Sequence, residues 1–193
     1  MPLKLNSTSG GSVTLQEPTT ASNRTLTLPD NTGTVLSTAS TFAGTGPAFS
    51  AYYSGAGQTI SVSTQTKVIL NQETFDTNNN FDSTTNYRFT PTVAGYYQIN
   101  GLVKYSTSST SFLQNVANVS IWKNGSAYRG GTQNTIGGAS YTAFSVSDVV
   151  YLNGSTDYVE LYTVHNYSPN LVTLGSEGGA VTVYFSGSMV RAA

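Results

Sequence analysis

One histidine, no cysteine and nine carboxylates are the whole stock from which this 193-residue chain must draw any catalytic or metal-binding chemistry. His165 could serve a Ser–His–Asp arrangement, in which an imidazole takes the proton of an attacking hydroxyl. No Gly-x-Ser-x-Gly elbow accompanies it, and a histidine set among Tyr and Asn is ordinarily structural or merely exposed. Asp76 with Asp82, or Asp157 with Glu160, would offer calcium hard oxygen ligands, but aspartates in turn sequences ordinarily serve the turn. Gly10-Gly11, Gly130-Gly131 and Gly137-Gly138 lack the lysine and the helix that a phosphate loop requires. Without cysteine there is no disulfide framework, no thiol nucleophile and no thiolate zinc site. The expectation is a protein that is not an enzyme, with no catalytic residue, no metal and no cofactor.

The elements that carry these residues follow from composition. Charged residues make up 9% of the chain, apolar residues 38% and aromatic residues 11%. So few charges would suit a disordered chain only if apolar residues were scarce too, and they are not. Thr, Ser, Asn and Gly fill the polar positions, which favours pleated strands and tight turns over helices. The class is all-β. A net charge of −1, with Lys and Arg scattered singly, gives no footprint for nucleic acid or an anionic membrane surface. No apolar run approaches a membrane span.

The pattern changes near residue 45. Residues 1–45 carry short alternating stretches, Val13-Thr14-Leu15, Leu26-Thr27-Leu28 and Val35-Leu36, around the turn sequence Pro29-Asp30-Asn31-Thr32-Gly33. Isolated strands or a hairpin fit, but not a core. Ordering such a segment costs roughly 1.5 kcal/mol per residue, more than burial of a handful of Leu and Val returns. The segment is therefore expected to be an extended arm that lies on something else.

From residue 46 onward the signal is dense and strand-like. Strands are predicted at 47–54, 58–63, 67–71, 86–90, 95–105, 116–123, 141–152, 156–164 and 179–190, separated by turns such as Asn124-Gly125, Asn153-Gly154 and Gly178-Gly179. Tyr97, Ile99 and Val103 share one face of their strand, and Tyr96, Gln98, Asn100 and Lys104 share the other. In the last strand Val181, Val183 and Phe185 oppose Thr182, Tyr184 and Ser186. Tyr96, Tyr158, Tyr162 and Tyr184 are read as facing away from the core. Aromatics displayed on several strands would form a patch, and such patches mark interfaces between subunits.

A set of motifs in fixed order gives this pattern a name. Pro47-Ala48-Phe49-Ser50-Ala51 resembles the opening strand of a complement globular head. Phe75-Asp76, Asn80-Phe81-Asp82, Tyr87-Arg88-Phe89-Thr90-Pro91 and Ala94-Gly95-Tyr96-Tyr97-Gln98-Ile99 resemble its central signature, of which Phe89 followed six positions later by Gly95-Tyr96-Tyr97 is the firmest part. Asp148-Val149-Val150-Tyr151-Leu152 is similar to a later strand, and Phe185-Ser186-Gly187-Ser188-Met189-Val190 to the closing one. The resemblance, to the complement globular-head and tumour necrosis factor superfamily, covers residue 46 to the end. It implies a ten-stranded two-sheet jelly-roll sandwich, and a homotrimer with aromatic residues of the inner sheet at the threefold axis. Residues 46–193 are accordingly expected to be the jelly roll, and residues 1–45 the arm.

Residues 12–16 and 24–36 of the arm are similar to linker segments in structural proteins of tailed bacteriophages. The N-terminus also lacks the apolar core of a signal peptide, which disfavours a secreted complement-like protein. The expected role is an outer-surface capsid decoration (cement) protein of the virion. Its arms would grip the major capsid protein or another virion protein through Leu15, Leu26, Leu28, Val35 and Leu36. The rival expectation is a tail-fibre or spike tip that binds a host receptor or glycan, with Tyr128, Tyr141, Tyr167 and His165 stacking on sugars.

Overall fold

The computed structural model describes residues 3–6, 8–15, 19, 46–106, 116–135 and 141–193. The chain divides into two units, Met1–Ser37 and Thr38–Ala193. In the first, β1 (Leu3–Asn6) and β2 (Ser12–Leu15) pair antiparallel, with Leu3 opposite Leu15 and Leu5 opposite Val13. Leu5 and Val13, which face each other in this hairpin, are both exposed. Leu26, Leu28, Val35 and Leu36 lie outside the described residues, as does the expected boundary at residue 45.

Among its described residues the second unit contains strands, turns and irregular segments but no helix. The strands are β3 (Ala48–Tyr52), β4 (Thr59–Ile60), β5 (Thr66–Lys67), β6 (Gln72–Asp76), β7 (Phe81–Asp82) and β8 (Arg88–Phe89). The long strands β9 (Ala94–Ser106), β10 (Val116–Lys123), β11 (Ser126–Thr135), β12 (Tyr141–Asn153) and β13 (Val159–His165) follow. The chain closes with β14 (Leu171–Thr173), β15 (Ser176–Glu177), β16 (Ala180–Val181) and β17 (Val183–Ala192). A seven-stranded sheet runs β4-β14-β9-β17-β3-β6, with β12 on the other edge of β9. A six-stranded sheet runs β11-β10-β13-β8-β7, with β5 beside β13. The two sheets face each other as a jelly roll.

Period-2 alternation makes the sandwich. Along β9, Tyr97, Ile99, Val103 and Tyr105 are fully buried while Tyr96, Gln98 and Lys104 point out. Leu161 and Val159 of β13 and Val119 and Ile121 of β10 close the core from the other side. Its aromatic centre is Phe49, stacked on Phe89 at 4.3 Å and on Phe81 at 5.0 Å, with Phe185 edge-on at 5.3 Å. Phe89 in turn meets Tyr97 edge-to-face at 5.5 Å. The Phe89–Gly95–Tyr97 spacing is thus a contact between the two sheets. Gly187 sits beneath this cluster because a Cβ there would come within 2.6 Å of Ile99 and 2.9 Å of Phe49.

The structure adds strands that alternation did not give. β6 and β11 are edge strands, and β6 is exposed over most of its length, so neither shows an apolar face in sequence. The strand expected at 179–190 breaks at Thr182. Val181 belongs to a small hairpin opposite Ser176 and is exposed rather than sharing the buried face of Val183 and Phe185. At the open side of the sandwich Thr132 of β11 bonds both backbone groups of Ser145 in β12, and Arg129 donates to Asp148 at 2.6 Å.

Candidate functional site: the outer face of the seven-stranded sheet

Strand register lays out this face in rows. Gln98 stands between Val149 and Ser188, Asn100 between Ser147 and Ser186, and Leu102 between Ser145 and Tyr184. Ala48, Ser50 and Tyr52 of β3 extend the same three rows. No Lys, Arg, Asp or Glu stands in them. The polar groups bond to one another instead: Gln98 Nε2 donates to Ser147 Oγ at 2.8 Å, and Ser147 Oγ donates to Asn100 Oδ1 at 2.9 Å. Charge enters at the margins, as Arg191, as Lys123, whose ammonium lies 5.8 Å from the centre of the Tyr151 ring, and as Lys104, which pairs with Glu177 and lies 4.9 Å from the centre of the Tyr141 ring.

At one end of the rows Tyr96, Val149, Tyr151 and Val190 are each between 42% and 47% exposed. The Tyr96 and Tyr151 rings lie 5.4 Å apart, and Val149, Val190 and the last residues of β17 border a shallow cleft of about 540 Å³ beside Tyr96. A face that is uncharged over four strands and apolar at one end has the character of a surface awaiting a protein partner, because a solvated sheet face keeps Lys and Glu.

The four tyrosines expected at an interface are split. Tyr96 and Tyr184 stand on this face. Tyr162 belongs to β13 of the opposite sheet and Tyr158 immediately precedes that strand; Tyr158 lies under the Arg88 guanidinium at 4.2 Å and Tyr162 is stacked on Trp122 at 4.0 Å. They form two patches, not one, because alternation tells inside from outside but not which sheet's outside. Tyr151 and Val149, unnoticed in the sequence, complete the patch at Tyr96. Their parity along β12, opposite to that of Val150 and Leu152, is the signal that would have found them.

The residues considered for chemistry are otherwise engaged. His165 is not in a loop: it ends β13, is 1% exposed, and its Nε2 lies 2.8 Å from the Ile60 carbonyl and 3.3 Å from the Leu171 backbone nitrogen. No described carboxylate contacts it, and it is closed off from sugars. Tyr167 is half-buried against the core, whereas Tyr128 and Tyr141 are both 44% exposed. Asp76 accepts the backbone N–H groups of Asn78 and Phe81, and Asp157 binds Lys123 at 3.0 Å and Asn124 at 2.8 Å. Glu160 is 3% exposed and pairs with Lys67 at 2.5 Å. Among the described residues no three His, Asp or Glu gather as a metal site would require.

Known structures share this sandwich. The chain is similar to the globular domain of a zebrafish complement 1qA protein, with 15% identity and a TM-score of 0.51, over 76% of this chain and 99% of that one. It is similar to murine APRIL, with 11% identity and a TM-score of 0.52, over 75% and 99%. It is similar to an Eiger tumour necrosis factor from S. frugiperda, with 7% identity and a TM-score of 0.55, over 77% and 95%. No protein-family model and no curated protein matches the sequence. The fold is therefore the complement and tumour necrosis factor jelly roll, reached at identities where only architecture is shared.

Proposed function

We propose that this protein is a homotrimeric, non-enzymatic head on the outer surface of a virus particle, a capsid decoration protein held there by its N-terminal arm. The observation that carries the trimer is the uncharged outer face of the seven-stranded sheet, with Tyr96, Tyr151, Val149 and Val190 exposed at its end. Three copies packed on this face would cover the patch and leave the other sheet in solvent. Tyr96 and Tyr184 then lie in the interface, and Tyr158 and Tyr162 outside it. The Gln98–Ser147–Asn100 network supplies neutral partners that can be buried without stranding a charge.

The likeness of residues 12–16 and 24–36 to phage linker segments supports placement on a virion. Three arms on one rigid head would bind the major capsid protein far more tightly than one. Gold-labelled antibody against the protein, viewed on source particles by electron microscopy, tests this reading. Label spread over the capsids supports decoration. Label confined to fibres or tail tips replaces it with host attachment, and absence from particles overturns both.

A further inference from the structure

The outer face of the seven-stranded sheet ends differently at its two sides. Toward β12, Tyr96, Val149 and Val190 border the cleft of about 540 Å³. At the other side, β6, register sets Phe75 opposite Ser50, so Phe75 extends the row of Ser50, Ser186, Asn100 and Ser147. Phe75 is 48% exposed. A bulge places it there: Thr74 is left unpaired between Phe75 and Glu73, which stands opposite the buried Ala51. In a regular strand Glu73 and Phe75 would share a face, but the extra residue separates them and leaves the ring outward. One side of the face therefore carries an aromatic knob, and the other an apolar cleft one row further along the strands.

The knob cannot fill the cleft of its own chain. Four strand spacings separate β6 from β12, roughly 19 Å at about 4.8 Å each. A threefold ring supplies the missing geometry. Its contacts are head-to-tail: one surface of each copy meets a different surface of the next, and three such junctions close. With the uncharged rows turned toward the axis, the β6 side of one copy meets the β12 side of its neighbour. The charges at the two sides are complementary. β6 carries Glu73 and Asp76 and no cation, whereas the cleft is bordered by Arg191 and by no acidic side chain. Glu73 and Arg191 are both exposed, and neither forms an ion pair among the described residues.

We propose that Phe75 of one copy seats in the cleft beside Tyr96, Val149 and Val190 of the next, with Glu73 brought to the side of Arg191. This rests on the trimer reading above and assigns it two distinct contact surfaces. The cleft is ample for a phenyl ring, since a cavity of roughly 150 Å³ already accepts benzene. The occupant is a second copy of this chain because the knob, the cleft and their opposite charges lie on opposite sides of one face.

Sedimentation of the full chain tests the pairing. Phe75→Arg presents a cation to Arg191 in place of a ring, and Val149→Arg fills the cleft. Neither residue belongs to the core, and circular dichroism checks that both variants fold. Each should weaken association about tenfold or more and sediment as a monomer where the parent is a trimer. An equimolar mixture of the two should form a one-to-one dimer, because the intact Phe75 of one variant meets the intact cleft of the other and the ring cannot close. A trimeric parent whose Phe75→Arg variant is still a trimer overturns the pairing and leaves the trimer standing. A mixture that stays monomeric at concentrations where the parent is fully assembled overturns it too. A monomeric parent removes the trimer and this contact together.

Discussion

The phenol of Tyr105, from β9 of one sheet, reaches across the sandwich to the hydroxyl of Thr163, from β13 of the other, at 2.6 Å. Thr163 passes the bond on by donating to the Asn118 carbonyl at 2.8 Å. Both side chains are fully buried, and burial pushes the Tyr105 phenol up to about 12, so it stays a donor at any ordinary pH. Tyr105→Phe removes one donor and should cost about 1 kcal/mol. Thr163→Val strands both the phenol and the carbonyl and should cost about 2–3 kcal/mol. Urea denaturation of the two variants checks the order, and equal losses would show that the hydroxyls are not linked.

That relay shows where the sequence was readable. Alternation along β9 gave Tyr97, Ile99 and Val103 one face, which Tyr105 also shares, whereas the spacing of Phe89 and Tyr97 marked the fold without revealing that the two rings meet between the sheets. The same parity, carried through 159, 161 and 163, puts His165 inside the sandwich. It was obscured by the polar Asn166-Tyr167-Ser168-Pro169-Asn170 stretch that follows, which reads as loop. β11 was illegible for a different reason. An edge strand with two bulges needs no apolar face, and Gly130 and Gly131 look like turn residues.

The uncharged rows make the trimer easy to disrupt without unfolding the subunit. Ser186→Arg or Asn100→Lys places a long cation in the centre of the proposed interface, where three copies would repeat it around the axis. Each charge buried without a partner costs several kcal/mol, so the variants should sediment as monomers. Their far-ultraviolet spectra should match the parent's, because both side chains point out of the sandwich. A parent that sediments as a monomer at micromolar concentration would remove the trimer altogether.

Glu160 depends on one ammonium. Its side chain is nearly buried, and Lys67, itself about a third exposed, is its counter-charge. Lys67→Met leaves the carboxylate without that partner and should destabilise by about 2–3 kcal/mol, below the range for a fully buried pair. Adding Glu160→Gln should recover most of the loss, because a neutral amide tolerates the site. A double variant no more stable than Lys67→Met would mean that the lysine acts by packing rather than charge.

Acid stability should be traceable to Asp82. Its carboxylate accepts the backbone N–H of Thr85 at 2.9 Å and of Thr84 at 3.0 Å, and the Asn86 amide at 2.7 Å. These bonds, that from Thr85 foremost, hold the carboxyl well below the usual carboxylate range, against the opposing effect of burial. A depressed folded value means that the stabilisation is complete above the unfolded value of about 3.9 and fades as pH falls below it. Asp82→Asn should therefore be less stable than the parent at neutral pH, with the difference shrinking as pH drops from about 4 toward 2. Thermal melts of the two proteins across that window decide it. A difference that stays constant to the acid end would assign the effect of Asp82 to turn geometry, not to its charge.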